Sequence, residues 1–190
     1  MVSHRFVTAV LSKGKNEKKT RTGTNMKIYF DMDGVLADFD RGIEELCGIK
    51  KVDQENTNEE KDTVMWNAVR EVEHFYDRLE PIPGSVELFM KLYRKYGLDC
   101  EILTGIPKPR RNIANAGEDK TAWVHRLLAP DVIVNIVYKE NKRYFCTGPD
   151  CYLIDDFTPN ITGWEKRGGT GILFRSAKEA EEMVRKLGLL

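Results

Sequence analysis

Cysteine is scarce in this sequence: Cys47, Cys100, Cys146 and Cys151 are the only four among 190 residues. No two form a CxxC pair, and no Cys/His cluster has zinc spacing, which excludes a disulfide framework or a structural zinc site. Free thiols in a reducing cytoplasm are expected. An excess of one charge is also missing, since 30 Lys and Arg balance 30 Asp and Glu. No overall basic field therefore supports binding to a nucleic-acid duplex or a membrane surface. No apolar run approaches the roughly 18 residues of a membrane-spanning helix. The three histidines, His4, His74 and His125, share no motif with a Ser or Cys nucleophile, which excludes a histidine-based hydrolase. Internal repeats are absent as well.

What remains is an ordinary globular composition, 41% hydrophobic and 32% charged, of a length that suits one domain with at most a small appendage. The first 25 residues stand apart. Arg5, Lys13, Lys15, Lys18, Lys19 and Arg21 face only Glu17 there. The apolar piece Phe6 to Leu11 is too short for a signal-peptide core. Residues 1–25 are expected to be a disordered basic extension, with order beginning at Met26.

From Met26 onward, short apolar runs alternate with helical patterns. Strands are predicted at Lys27 to Phe30, Cys100 to Leu103, Asp131 to Tyr138, Cys151 to Ile154 and Gly171 to Phe174. Helices are predicted over about 36–48, from about Glu59, from Pro83-Gly84 to Tyr96, from about Asp119 to Leu128, and after Ser176. Met65, Val69, Val72 and Tyr76 fall at helical spacing on one face. Gly97 closes the helix before it, and Ser176 with Glu179 forms a capping box for the last helix, which Gly188 ends. Strands that are apolar throughout read as buried on both faces. The predicted class is therefore α/β, a doubly wound parallel sheet.

Three polar motifs follow strands directly: Asp31-Met-Asp-Gly34, Thr104-Gly105 and Asp155-Asp156. In a parallel sheet the carboxyl ends of strands share one edge, where ligands bind. Carboxylates crowded there need a cation, and oxygen ligands beside a phosphate suit Mg²⁺. Asp31, Asp33, Asp155 and Asp156 are the candidate metal ligands, and the sequence leaves open which of the last two touches the ion. Asp31 can attack phosphorus to give an aspartyl-phosphate. Asp33, two residues on, can protonate the leaving oxygen and then activate water. Thr104 can donate its hydroxyl and Gly105 its N–H to phosphoryl oxygens, while a cation opposite the metal is required. Lys142 is the first choice for that cation, with Lys139 and Arg143 as local competitors. Lys108, Arg110 and Arg111 form a basic cluster beside Thr104-Gly105 that reads equally as a phosphate-attracting group or a solvated loop. Trp66, Trp123 and Trp164 are read as packing.

This order of motifs resembles the haloacid-dehalogenase (HAD) superfamily of aspartyl phosphatases. Asp31 to Phe39, Leu79 to Gly84, Asp119 to Val124 and Leu153 to Asp156 further resemble the cytosolic and mitochondrial 5′(3′)-deoxyribonucleotidases. That likeness covers about residues 26–175 and is weakest over 48–72. It implies a HAD-like core hydrolysing nucleoside monophosphates with Mg²⁺ in the cytoplasm. It also implies that Phe39 and the pair Phe75-Tyr76 line a nucleoside pocket and that Lys120 sits near the phosphate. Those relatives carry a hydroxyl residue where Gly105 stands.

The long interval between Asp31 and Thr104 leaves about 40 surplus residues. The expected organisation is a core of 26–38 and 81–190 with a small helical cap at 39–80. The expected partner is a small-molecule nucleotide, with a homodimer left open. Two alternatives stand beside this reading. One is a HAD phosphatase for another small metabolite or for a nucleic-acid 3′ phosphate. The other is a non-catalytic binding protein on the same scaffold.

Overall fold

A computed structural model of the chain describes residues 26–50 and 59–190. The expected basic extension at 1–25 and most of the polar stretch after Lys50 lie outside the described residues.

Five strands form one parallel sheet: β1 (Lys27–Phe30), β2 (Cys100–Gly105), β3 (Val134–Val137), β4 (Cys151–Asp155) and β5 (Thr170–Leu173), in spatial order β3-β2-β1-β4-β5. The chain builds outward from β1 through β2 to β3, then crosses to the other side of β1 for β4 and β5. The switch point of this doubly wound sheet therefore lies between the carboxyl ends of β1 and β4, where a ligand crevice is expected. Phe30 is registered against Ile154, and Asp31 N–H donates to the Ile154 carbonyl at 2.9 Å. That register sets the first and last acidic motifs side by side.

Alternate residues of the central strands feed two apolar layers. Ile28, Phe30, Ile102 and Ile154 join the larger layer, where Phe30 meets Phe89 edge-on with ring centroids 5.2 Å apart. Tyr29, Leu103 and Leu153 join the smaller layer with Trp164, which meets Tyr29 at 5.4 Å. The edge strands depart from the expectation of full burial. Every residue of β3 is half-buried, as are three of the four in β5, because an edge strand has a neighbour on only one side. β3 is also shorter than the predicted run of 131–138.

Six α-helices are described: α1 (Phe39–Cys47), α2 (Glu59–Arg70), α3 (Ser85–Tyr96), α4 (Ala116–Leu127), α5 (Thr158–Glu165) and α6 (Ala177–Lys186). Asp38 caps α1 by accepting from Arg41 N–H at 3.1 Å. Ser176 caps α6 by accepting from Glu179 N–H at 3.2 Å, as the capping box requires. Gly97 closes α3 with φ +58. Helical spacing overran in α2. The helix ends at Arg70, His74 takes φ +54, and Tyr76 belongs to a short 3-10 turn, Tyr76–Arg78. Helix α5 was not predicted, because only Ile161 and Trp164 of its eight residues are buried and no apolar stripe marks it. α1 and α2 pack on each other.

Candidate active site

The loop after β1 is shaped by its middle residue. Met32 is fully buried, and its carbonyl accepts from the N–H groups of Val35, Leu36 and Ala37. With Met32 turned into the core, Asp31 and Asp33 face the opposite side together. Gly34 has φ +73, and a Cβ there would lie 2.3 Å from Asp156 Oδ2. Both conformation and space demand glycine.

Asp31 is 7% exposed. Its Oδ1 accepts from Met32 N–H at 2.7 Å, and its Oδ2 lies 2.5 Å from Lys142 Nζ. Lys142 is carried in by a 3-10 segment, Lys139–Phe145, between β3 and β4, and also donates to Asp155 Oδ2 at 2.8 Å. Burial alone would lower the Lys142 pKa, but Asp31 and Asp155 hold it above its ordinary value. Asp155 is fully buried. Its two oxygens also accept from Phe157 N–H and from the Asn160 amide, at 2.9–3.0 Å. Its carboxyl is raised by burial and by Asp31, against the pull of Lys142. Asn160 is a site residue that sequence reasoning missed, because it sits on the unpredicted helix α5 and its role depends on the fold.

The carboxylate oxygens of Asp31, Asp155 and Asp156 lie within 4.8 Å of one another. Asp156 has no side-chain partner among the described residues. Desolvation and then the carboxylates of Asp31 and Asp155 push it up to about 7. Three carboxylates against the single ammonium of Lys142 leave two negative charges, and all the donors are hard oxygens. The residues therefore fit a divalent cation such as Mg²⁺. The Asp33 side chain is not among these three carboxylates.

Asp33 turns instead to Lys120. Lys120 Nζ lies 2.5 Å from Asp33 Oδ2, donates to Thr104 Oγ1 at 3.1 Å, and stands 4.4 Å from the centre of the Tyr76 ring. Lys120 is wholly buried. It stands behind Asp33 and Thr104 and, like Thr104, is not among the residues that line the cavity. Burial raises the Asp33 pKa, Lys120 opposes this, and the charge of Asp31 adds to the rise. Asp33 Oδ1 is buried without a partner, so one acceptor stands ready for a proton or a donor.

These groups floor a cavity of about 570 Å³. Phe39, Trp66, Tyr76 and Phe157 supply its aromatic lining. Phe75 does not line it. At 1% exposure it packs edge-on against Phe39 at 5.6 Å and Tyr76 at 5.2 Å, a buttress for the wall. Trp66, read as packing, belongs to the wall. Trp123 and Trp164 are buried, and Trp123 Nε1 donates to the Leu79 carbonyl at 2.7 Å, tying α4 to the segment below Tyr76. Gly105 lines the cavity, and a Cβ there would meet Lys139 Cβ at 3.3 Å. Thr104 is fully buried beneath it. Of the other cations considered, Lys139 lines the cavity, whereas Arg143 stacks on Tyr144 away from it.

Residues 25–185 match the family described as 5′ nucleotidase, deoxy (Pyrimidine), cytosolic type C protein. The chain is similar to the human mitochondrial 5′(3′)-deoxyribonucleotidase, 29% identical over 159 residues, which are 75% of this chain and 67% of that protein. A Vibrio phage KVP40 protein named as a 5′(3′)-deoxyribonucleotidase is 28% identical over 136 residues, 72% of this chain and 69% of its own. A HAD-superfamily hydrolase from Ehrlichia chaffeensis superposes with a TM-score of 0.51 at 15% identity, covering 85% of this chain and 96% of that one, a likeness of fold. Among the described residues no helix is long and apolar enough to cross a membrane.

Proposed function

The chain belongs to the 5′ nucleotidase, deoxy (pyrimidine), cytosolic type C family of phosphoric monoester hydrolases, and on that premise we propose that it hydrolyses nucleoside monophosphates through an aspartyl-phosphate on Asp31. One observation carries the reading. An ion-paired Asp31 and a partnerless Asp33 oxygen stand at the floor of a cavity walled by aromatic rings. The floor suits a phosphoryl group and the wall suits a nucleobase.

Asp31 attacks phosphorus, forming the Oδ–P bond as the ester P–O bond breaks. Asp33, whose raised pKa favours the protonated form, passes its proton to the leaving nucleoside oxygen. The Asp33 carboxylate then takes a proton from water. The resulting nucleophile attacks the acyl phosphate, releasing inorganic phosphate and restoring Asp31. Thr104 has Lys120 donating to it, so its own hydroxyl proton is free for a phosphoryl oxygen. Gly105 offers backbone N–H without side-chain crowding. Lys142 balances Asp31 and Asp155.

Asp31 and Asp156, with Asp155 held beside them by Lys142 and Asn160, would hold Mg²⁺. The full engagement of Asp155 favours Asp156 as the direct ligand. When bound, the ion supplies positive charge to phosphoryl oxygens and offsets the surplus of carboxylates.

Residues 39–80, with α1 and α2 packed together, are proposed to act as the cap that sets the substrate. Free thiols, three of the four buried, support a reducing compartment, and the cytoplasm is the one we infer. The test is phosphate release from a panel of deoxynucleoside monophosphates and sugar phosphates, with Mg²⁺ and with chelator. Preferred turnover of a sugar phosphate, or turnover indifferent to chelator, would overturn the reading.

A further inference from the structure

We infer that the site accepts nucleotides carrying a second phosphate, received by Arg110 and Lys139; this deepens the hydrolytic reading above and rests on it. The argument begins with five cations lining the cavity: Lys108, Arg110, Arg111, Lys139 and Lys142. Three are already matched to acids. Lys142 lies between Asp31 and Asp155, Arg111 pairs with Asp62, and Lys108 pairs with Glu140 at 2.9 Å. Arg110 has no hydrogen bond, ion pair or ring contact among the described residues. Lys139 makes no ion pair among the described residues; its Nζ lies 4.0 Å from the centre of the Phe157 ring, and its charge acts weakly on neighbouring Glu140, which is already paired with Lys108.

These two unmatched cations share one side of the cavity. Gly105, at the end of β2, is registered against Val137, at the end of β3. The loops leaving those strands carry Arg110 and Lys139, and they run so close that a Cβ at Gly105 would touch Lys139. Arg110 is not on a loose segment. It sits in the 3-10 turn Pro109–Arg111, whose next residue is fixed twice over. Arg111 pairs with Asp62 and lies over the Trp66 ring at 5.7 Å, and its carbonyl accepts from Arg70 Nε at 3.3 Å. The lining also carries Asp38 and Asp40 from the start of α1, while its acids near the two cations, Asp62 and Glu140, are paired with Arg111 and Lys108.

A nucleoside monophosphate presents one charged group, and the floor already answers it. Its sugar and base are neutral and have no use for Arg110 or Lys139. A second phosphate monoester carries about −1.5 to −2 at neutral pH, a charge that two cations would match. The fitting substrate class is a nucleoside 3′,5′-bisphosphate, with one ester over Asp31 and the other toward Arg110. The reaction stays a hydrolysis. One ester P–O bond breaks, water oxygen ends on the released phosphate, a proton ends on the freed hydroxyl, and the second phosphate leaves on the product.

The probe pair is deoxythymidine 3′,5′-bisphosphate against the 5′- and 3′-monophosphates of thymidine, assayed with full-length enzyme and Mg²⁺ over a range of NaCl. The bisphosphate is expected to have the higher kcat/KM, by about tenfold at low salt, with the advantage shrinking as salt rises. Arg110→Ala should reduce the bisphosphate-to-monophosphate ratio toward one, and Arg110→Glu should take it below one. Equal kcat/KM for all three substrates, or an advantage that both variants retain, would overturn the inference while leaving nucleotide hydrolysis intact. Hydrolysis of none of them would overturn the parent reading, and this inference with it.

Discussion

Lys120 Nζ lies 2.5 Å from Asp33 Oδ2, and the lysine has no exposed surface while the aspartate side chain keeps 28%. The pair is therefore asymmetric. If Lys120 is lost, Asp33 can take a proton and remain in contact with water. If Asp33 is lost, a buried ammonium keeps, among the described residues, only the Thr104 hydroxyl and the face of Tyr76. Asp33→Ala should thus destabilise the fold more than Lys120→Met, by on the order of 2 kcal/mol, the scale of a hydrogen bond to a charged group. Urea titrations of the two variants read the difference. Equal midpoints, or the reverse order, would show that the ammonium is satisfied in some other way.

Asp31→Asn removes the proposed nucleophile and keeps one of its two acceptor oxygens, enough for Met32 N–H or for Lys142 but not for both. Loss of a nucleophile commonly removes four or more orders of magnitude of kcat, so turnover should fall by at least ~10⁴-fold. The fold should survive, because the substitution also relieves repulsion from Asp155 and Asp156. Phosphate release and a thermal melt measured on the same preparation test both halves. Turnover within tenfold of the parent protein would remove Asp31 from its role.

Gly34→Ala places a methyl group where the Asp156 carboxylate lies, on a backbone of positive φ. The strain alone is about 1 kcal/mol. The larger effect should fall on Mg²⁺, because Asp156 must swing away from Asp31. A weakening of metal affinity by about tenfold is expected, in the range seen when groups that orient ligands are disturbed. Calorimetric titration of Mg²⁺ into each protein measures it. Unchanged affinity would argue that Asp156 does not contact the ion.

The acidic and hydroxyl motifs were legible because each stands immediately after an apolar run, and a parallel sheet brings such positions to one edge. The alternation of Asp31, Met32 and Asp33 also fixes which side chains share a face. Partnerships across the chain were not legible. Nothing local to Lys120 announces Asp33, 87 positions away, and nothing local to Asn160 announces its hold on Asp155. Trp66 and Phe75 exchanged their expected roles for a geometric reason. Helical spacing in α2 carries no warning that the chain leaves the helix at Arg70, and the turn at His74 decides which ring faces the cavity. Helix α5 escaped notice because a helix that buries two residues has almost no apolar period.

That same turn yields a dependence on pH. His74 Nδ1 lies 2.8 Å from Asp119 Oδ1, and among the described residues no other side chain reaches that buried carboxylate. The hydrogen bond and charge of Asp119 raise the His74 pKa above its ordinary value, with smaller contributions from Glu73 and Asp77. A folded pKa above the unfolded one means the protonated histidine is favoured by folding. Its contribution is complete below the unfolded value of about 6.5 and is lost as pH rises through the folded pKa. His74→Asn tolerates the left-handed backbone at φ +54 but carries no titrating group. The difference in Tm between the parent protein and this variant should be greatest near pH 5.5 and should narrow by pH 8.5. Melting curves across that range, at one ionic strength, decide the matter. A gap that stays constant or widens toward alkaline pH would mean that the imidazole does not carry the proton in the folded state.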